Sequence, residues 1–473
     1  MSTSIAGPAS PPVTPSPAQP GTVTLDARTR RRALWGSAVG STIEWYDYFL
    51  YGTMSGLVFG PLFFPSDNAA VSQMLSLATF ALAFVIRPFG GVIFSHIGDR
   101  IGRKKTLVIT LSLMGVSTVL MGLLPNYAAI GLAAPILLTV LRMLQGVALG
   151  GEWGGGLLLA VEYSEKNRRG LYGAVPQTGA MLGLALGNIA VMASDAVFTD
   201  EQFLSFGWRI PFLLSAVLLV VGLWIRKKVD ETPSFKKVVE SGAKARVPIV
   251  ETFRTHRWTV LMATGAKVVE TSTFFIFATF TLSYAVDNLG FERSTVLNAI
   301  LVSALVGFAT MLAVGALSDR IGRKKTFLGG TVAIIVYAIP FFWLLNQGSV
   351  VLLYVACLIG FGLIWPTYGA LIGTLLAESF TPDIRYTGSS LGYQIGAAIA
   401  GGPAPLIATA LLTAYDGAYV PIGLFVMACA AVSFVAVSFA KERAGQELDV
   451  DDAVAAVPTP DQAQRAAAIV GEK

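Results

Sequence analysis

Charge is what this sequence has least of. Only 13% of its 473 residues are Asp, Glu, Lys or Arg, against about a quarter in an average soluble domain. A chain so poor in charge cannot face water over most of its surface, so most of it belongs in lipid. Cysteine and histidine are equally scarce, at two each. Cys357 and Cys429 both lie inside apolar runs, which excludes a disulfide framework. His96 and His256 are far apart and match no zinc or catalytic spacing. There is no nucleophile–base set and no phosphate-cradling glycine loop, so an enzyme or an ATP-driven pump is not expected, and no cofactor or metal is implied. The net charge of +5 does not point to nucleic acid, because the basic residues fall in short clusters between apolar runs.

What the chain does have is long apolar runs, 54% hydrophobic residues and 49 glycines. Glycine is more frequent in transmembrane helices than in soluble ones. A bilayer-spanning helix needs roughly 20 apolar residues, and twelve runs qualify. Six lie near 34–60, 73–96, 106–124, 131–160, 171–193 and 209–225. Six more lie near 258–285, 296–317, 326–346, 349–377, 387–413 and 418–440. The fold class is therefore an all-α membrane protein. The expected organisation is a Pro-rich tail at 1–32, with six prolines in the first 21 residues. A first six-helix unit follows at 33–226, a polar and basic connection at 227–256, a second unit at 257–440 and a tail at 441–473. Neither tail carries an apolar signal segment or a sustained heptad.

With both termini and the even-numbered connections on one side, 29 of the 34 basic residues fall there. Arg209 and Arg293 fall opposite, and Arg87, Arg142 and Lys267 lie within spans. Positive charge stays in the cytoplasm, so both termini are expected there, in a multi-pass plasma or inner membrane protein. The octapeptide DRIGRKKT occurs at 99–106 and again at 319–326. Glu162 and Arg169 recur as Glu378 and Arg385, and Gln177 recurs as Gln394, at nearly the same offset. The halves read as copies of one unit, and such parallel repeats build transporters that rock around a midplane site.

These motifs resemble the signature of the major facilitator superfamily, Gly-x-x-x-Asp-Arg-x-Gly-Arg-(Arg/Lys). The second copy fits fully from Gly315, whereas the first has Ser95 in the leading place. GSTIEWYDYFLYG, RPFGGVIFSHIGDRIGRKK, RMLQGVALGGEWGG and VPQTGAMLG are most similar to the metabolite:H⁺ symporter family within it. The resemblance implies twelve transmembrane helices in two pseudo-symmetric six-helix bundles. It also implies a substrate such as shikimate, α-ketoglutarate, citrate, or proline and betaine, with H⁺ as the coupling ion. Helix 5 lacks the Gly-Pro-rich motif of superfamily antiporters.

Ionisable residues inside spans are costly and mark transport paths. Glu44 and Asp47 stand three apart, on one helical face; two such carboxyls in a low dielectric cannot both ionise cheaply, so one can hold a proton. The alternative is a cap or an ion pair with a cation such as Arg87. Arg142 matches the superfamily's fourth-helix Arg-x-x-x-Gly, associated with proton transfer. It keeps its charge and so can only tune a carboxylate or bind one. Glu152, about 15 Å further along an ideal helix, is a proton site or a structural partner. Together these four form the proton-coupling set. For substrate binding the candidates are Arg87, Arg142, Gln177, Lys267, Glu270, Tyr284 and Gln394; Lys267 and Glu270 could equally satisfy each other. For a cytoplasmic gate they are Asp99, Arg100, Gly102, Arg103, Glu162 and Arg169, with Asp319, Arg320, Gly322, Arg323, Glu378 and Arg385 in the second half. The motif aspartates are expected to accept from the next helix's N–H groups or to pair with Arg169 and Arg385. The expected function is a monomeric symporter importing an organic anion with protons. A betaine-type symporter, an exporter and a non-transporting sensor stay open.

Overall fold

The structure, a computed structural model, describes residues 27–101, 103–151, 160–161, 164, 167–228, 252, 254, 256–381 and 384–446. Twelve long helices dominate them. The first six are α1 (Ala27–Leu57), α2 (Ala69–Ile101), α3 (Arg103–Leu123), α4 (Ala133–Gly150), α5 (Arg169–Val197) and α6 (Arg209–Lys228). The others are α7 (Arg257–Asn288), α8 (Arg293–Ile321), α9 (Arg323–Leu345), α10 (Val350–Ser379), α11 (Arg385–Ala400, resuming at Pro403–Ala414) and α12 (Val420–Ser438). Ten are long and apolar enough to cross a membrane, and a bent pair ending in α6 makes an eleventh. The twelfth, α1, carries four arginines in its first turns together with Glu44 and Asp47. The two tails and most of the central connection lie outside the described residues.

Helices satisfy every backbone donor and acceptor within the segment, the condition lipid imposes. Most spans bury only 39–50% of their most apolar window and leave the rest, such as Val336 and Val351, to lipid. Helix α7 is the exception, at 89% buried. It is the central helix, and its course is broken by π-helical turns at Ile276–Phe280 and Tyr284–Asn288. A third π-turn, Leu358–Ile364, lies in α10. Such turns often occur at functional sites.

The repeat seen in the sequence is a repeat of packing. In the first bundle α1 packs on α5, α2 on α4 and α3 on α6. In the second α7 packs on α11, α8 on α10 and α9 on α12. The bundles meet along two equivalent seams, α5 with α8 and α2 with α11. The motif glycine between α8 and α9, Gly322, has φ +102°, a conformation only glycine adopts cheaply.

The α2–α4 contact is backbone against backbone. A Cβ on Gly146 would meet the carbonyl of Ala83, one on Gly150 the carbonyl of Arg87, and one on Gly90 the backbone of Val147. Small residues let membrane helices approach this closely. This seam sets the depth of Arg87 and Arg142. Gly146→Leu should therefore destabilise the protein by about 1–3 kcal/mol or more, read as a lower melting temperature in detergent, whereas Gly329→Leu, where an added Cβ meets nothing within 4 Å, should leave it unchanged.

Candidate functional site

Between the bundles lies a small cavity of about 20 Å³, room for about one water. Ligand sites are far larger, roughly 300–1,000 Å³, so the cavity as it stands has no room for a substrate. Its walls come from repeat-related helices: Trp45 and Phe49 on α1, Gln177 on α5, Lys267, Glu270, Phe274 and Phe275 on α7, and Tyr393 on α11, with Phe84 and Arg87 from α2 and Trp365 from α10. Aromatic side chains make up half of its lining residues. Trp45 stacks on Phe49 and Phe49 on Phe274, with centroids 4.9 and 4.6 Å apart.

Three charged side chains face this cavity. Lys267 and Glu270, one helical turn apart on α7, form a buried ion pair. The same carboxylate oxygen accepts from the Thr271 hydroxyl at 2.8 Å. The Lys267 ammonium also lies 3.6 Å from the centre of the Tyr393 ring, so it is satisfied by a carboxylate and a π-face together. Trp365 Nε1 donates to the Glu270 carbonyl at 2.8 Å, fixing α7 against α10. Arg87 is different. It is 1% exposed, its guanidinium faces the rings of Trp45, Tyr48 and Phe84 at 5.4–5.9 Å, and its Nε and Nη2 find no hydrogen-bond partner among the described residues. Those two atoms form the side-on fork that grips a carboxylate.

Arg142 lies outside the cavity wall, fully buried between Tyr48 and Tyr51, with Cζ 4.1 and 4.2 Å from their ring centroids. Tyr48 thus lies between two guanidiniums. Arg142 Nη1 donates to Gln145 Oε1 at 2.8 Å, and Gln145 Nε2 donates to the Thr118 hydroxyl at 2.7 Å. That hydroxyl lies beside Asp47, which also accepts from Ser215 at 2.6 Å. A polar chain therefore runs from Asp47 through α3 and α4 to Arg142. Glu44 is buried on α1 but is not among the cavity-lining residues.

Gln177 and Gln394 act as a symmetric pair. Gln177 donates to the Gly369 carbonyl of α10 at 3.5 Å, and Gln394 donates to the Gly150 carbonyl of α4 at 3.3 Å. Each crosses to the opposite bundle, and Gln177 alone of the two lines the cavity. Tyr284, expected at the substrate site, instead exchanges hydrogen bonds with Asn346 near the far end of α9.

At the motif face, Asp319 accepts from the backbone N–H of Gly170 at 2.8 Å and of Leu171 at 3.0 Å. It therefore caps α5 of the other bundle rather than the next helix, because Gly170 presents no side chain and lets the carboxylate in. Its arginine is Arg323, at 2.8 Å, and not Arg169. Arg323 also lies 3.4 Å from Glu378, while Arg320 is exposed. The first turn of α9 is capped by Glu442, which accepts from the N–H of Arg323 at 3.2 Å and of Lys324 at 2.9 Å. Arg169 reaches the Gln446 carbonyl at 2.5 Å, and Arg385 donates to the Phe380 carbonyl at 3.3 Å. At the opposite end of the α5–α8 seam, Arg293 pairs with Asp195 at 2.7 Å. Sequence reasoning missed Gln145, Ser215, Asp195 and Glu442, whose partners are distant in sequence. Glu152, Glu162 and Gly102 lie outside the described residues, as do the side chains of Asp99, Arg100 and Arg103.

Residues 45–405 match the profile of the Major Facilitator Superfamily. The chain is 39% identical over 427 residues to the inner membrane metabolite transport protein YhjE of Escherichia coli, covering 89% of this chain and 96% of that one. It is 37% identical to the shikimate transporter of Escherichia coli, covering 87% and 94%. It is 33% identical to the glycine betaine/proline/ectoine/pipecolic acid transporter OusA of Dickeya dadantii, covering 90% and 86%. Its fold is similar to that of the proton:xylose symporter XylE, with a TM-score of 0.71 at 16% identity over 91% of this chain and 100% of that one.

The two ion pairs should differ in weight. Glu270→Ala leaves a buried ammonium without its carboxylate and should cost about 3–5 kcal/mol. Arg293→Ala breaks a partly exposed pair and should cost no more than about 1 kcal/mol. Thermal melts of the purified variants check the order.

Proposed function

The chain belongs to the major facilitator superfamily, and from that premise we propose that it is a proton-coupled symporter that brings a small organic acid into the cytoplasm by alternating access. It is a multi-pass membrane transporter and not an enzyme. The observation that carries the substrate reading is Arg87, a buried guanidinium with its Nε/Nη2 edge unpartnered in a cavity between the bundles. A carboxylate would take that edge with two parallel hydrogen bonds, and the ring-lined walls suit a compact carbon skeleton. A betaine has a quaternary ammonium to place as well. The faces of Trp45 and Tyr393 already have Arg87 and Lys267 against them, so the acid is the better fit.

For the proton we assign Asp47. It is a buried carboxyl held by hydroxyls, and the Thr118–Gln145 link joins it to Arg142. Arg142 shares the Tyr48 ring with Arg87, which provides a contiguous route between proton and substrate. A proton on Asp47 and a carboxylate on Arg87 each cancel one buried charge, so closing the cavity is least costly when both are loaded.

Access alternates at the two ends of the α5–α8 seam. The Asp319 cap on α5 holds the motif face, and the Arg293–Asp195 pair holds the other. Opening to either side breaks one and keeps the other. The positive-inside rule makes the motif face cytoplasmic, with both termini on that side.

Uptake of labelled shikimate or α-ketoglutarate into cells should collapse on adding a protonophore; accumulation that survives would mean that no proton is coupled. Arg87→Ala should weaken apparent substrate affinity on the order of ten- to a hundredfold, the worth of a charge-assisted hydrogen bond. Asp47→Asn should still exchange substrate across the membrane but fail to accumulate it, and normal accumulation would remove Asp47 from the coupling role. Asp319→Asn loses one of two acceptor oxygens at α5. It should slow turnover while leaving binding intact, and loss of binding would overturn the gate assignment.

A further inference from the structure

We propose that Glu270 limits the transported acid to one negative charge. The inference rests on the organic-acid reading above and adds the charge class of the substrate. The residues lining the cavity carry two cations, Arg87 and Lys267, and one anion, Glu270, so the wall has a net charge of +1. The two cations are not equivalent. Lys267 is committed to Glu270 on one side and to the Tyr393 ring on the other. Arg87 keeps the unpartnered edge. A monocarboxylate on Arg87 brings the wall and its contents to neutrality.

A dicarboxylate meets a different wall. Its second carboxylate would need Lys267, which Glu270 holds three residues away on the same helix face. Glu270 is itself fixed from two directions. Its carboxylate accepts from Thr271, and its backbone carbonyl accepts from Trp365. It cannot swing away without giving up both Lys267 and the hydroxyl. The second carboxylate is therefore left beside a like charge in a narrow, buried space, where such repulsion is poorly screened. Specificity of this kind comes from a built-in repulsion as much as from the attractive contact. Glu270 is the repulsive element and Arg87 the attractive one.

The test is competition against labelled shikimate, a monoanion, by α-ketoglutarate and citrate near neutral pH, where their carboxyls are ionised. The full-length protein is used in proteoliposomes, and binding is read in parallel by quenching of Trp45 and Trp365 fluorescence in detergent. The wild type should prefer shikimate to α-ketoglutarate at least tenfold, with citrate weaker still. Glu270→Gln keeps an oxygen for Lys267 and removes the charge, so it should shift the α-ketoglutarate-to-shikimate ratio at least tenfold toward the dianion. A wild type that binds the dianion as well as the monoanion overturns the proposal, whether or not the variant folds. So does a folded Glu270→Gln protein with an unchanged ratio. Uptake of acids without regard to charge would sink this inference and leave the organic-acid reading standing; no binding of any acid would sink both.

Discussion

Hydrocarbon gives a charge no water to retreat to, and each ionisable group in the spans of this chain is arranged around that fact. Lys267 is met by a carboxylate and a ring. Arg142 is pressed between two tyrosines and tied to Gln145. Asp47 is held by hydroxyls rather than by a cation. Arg87 and Arg142 each keep an Nε/Nη2 edge without a hydrogen-bond partner among the described residues, and of the two only Arg87 lines the cavity. Burial of this kind persists only where surrounding groups repay part of the cost, which is why the charged residues cluster at the bundle interface instead of scattering along the spans.

The repeat explains the frame and the departures from it explain the chemistry. Helix pairings in one bundle recur in the other, and Gln177 and Gln394 cross the interface in the same way in opposite directions. The charges break the symmetry. The first bundle holds Arg87, Arg142 and Asp47; the second holds Lys267 and Glu270 on a central helix interrupted by π-turns. A two-fold frame thus carries an asymmetric interior, with the Asp47–Arg142 polar chain in one half and the Lys267–Glu270 pair in the other.

The spans, the repeat and the intramembrane charges were legible in the sequence because each is a matter of composition or periodicity along one helix. The Lys267–Glu270 pair was legible for the same reason, since a three-residue spacing brings two side chains together. What stayed hidden were partnerships made by tertiary packing. Asp319 was expected to cap the following helix, yet it caps a helix of the opposite bundle, because its acceptors point at backbone donors that no side-chain pattern reveals. Arg293 read only as a basic residue opposite the motif face, its partner Asp195 unremarked, and Tyr284 as a substrate-site residue. Only the antiparallel run of α5 beside α8 joins the former, and only the end of α9 claims the latter.

The short segment after α12 does more than lead out of the membrane. Glu442 seats it on the first turn of α9, and four residues later the Gln446 carbonyl receives Arg169 from the first bundle. This makes the segment a brace laid from one half to the other over the motif face. A reporter or affinity tag joined directly behind Ser438 would remove that brace, so the junction chosen for a fusion would itself alter how readily this face parts.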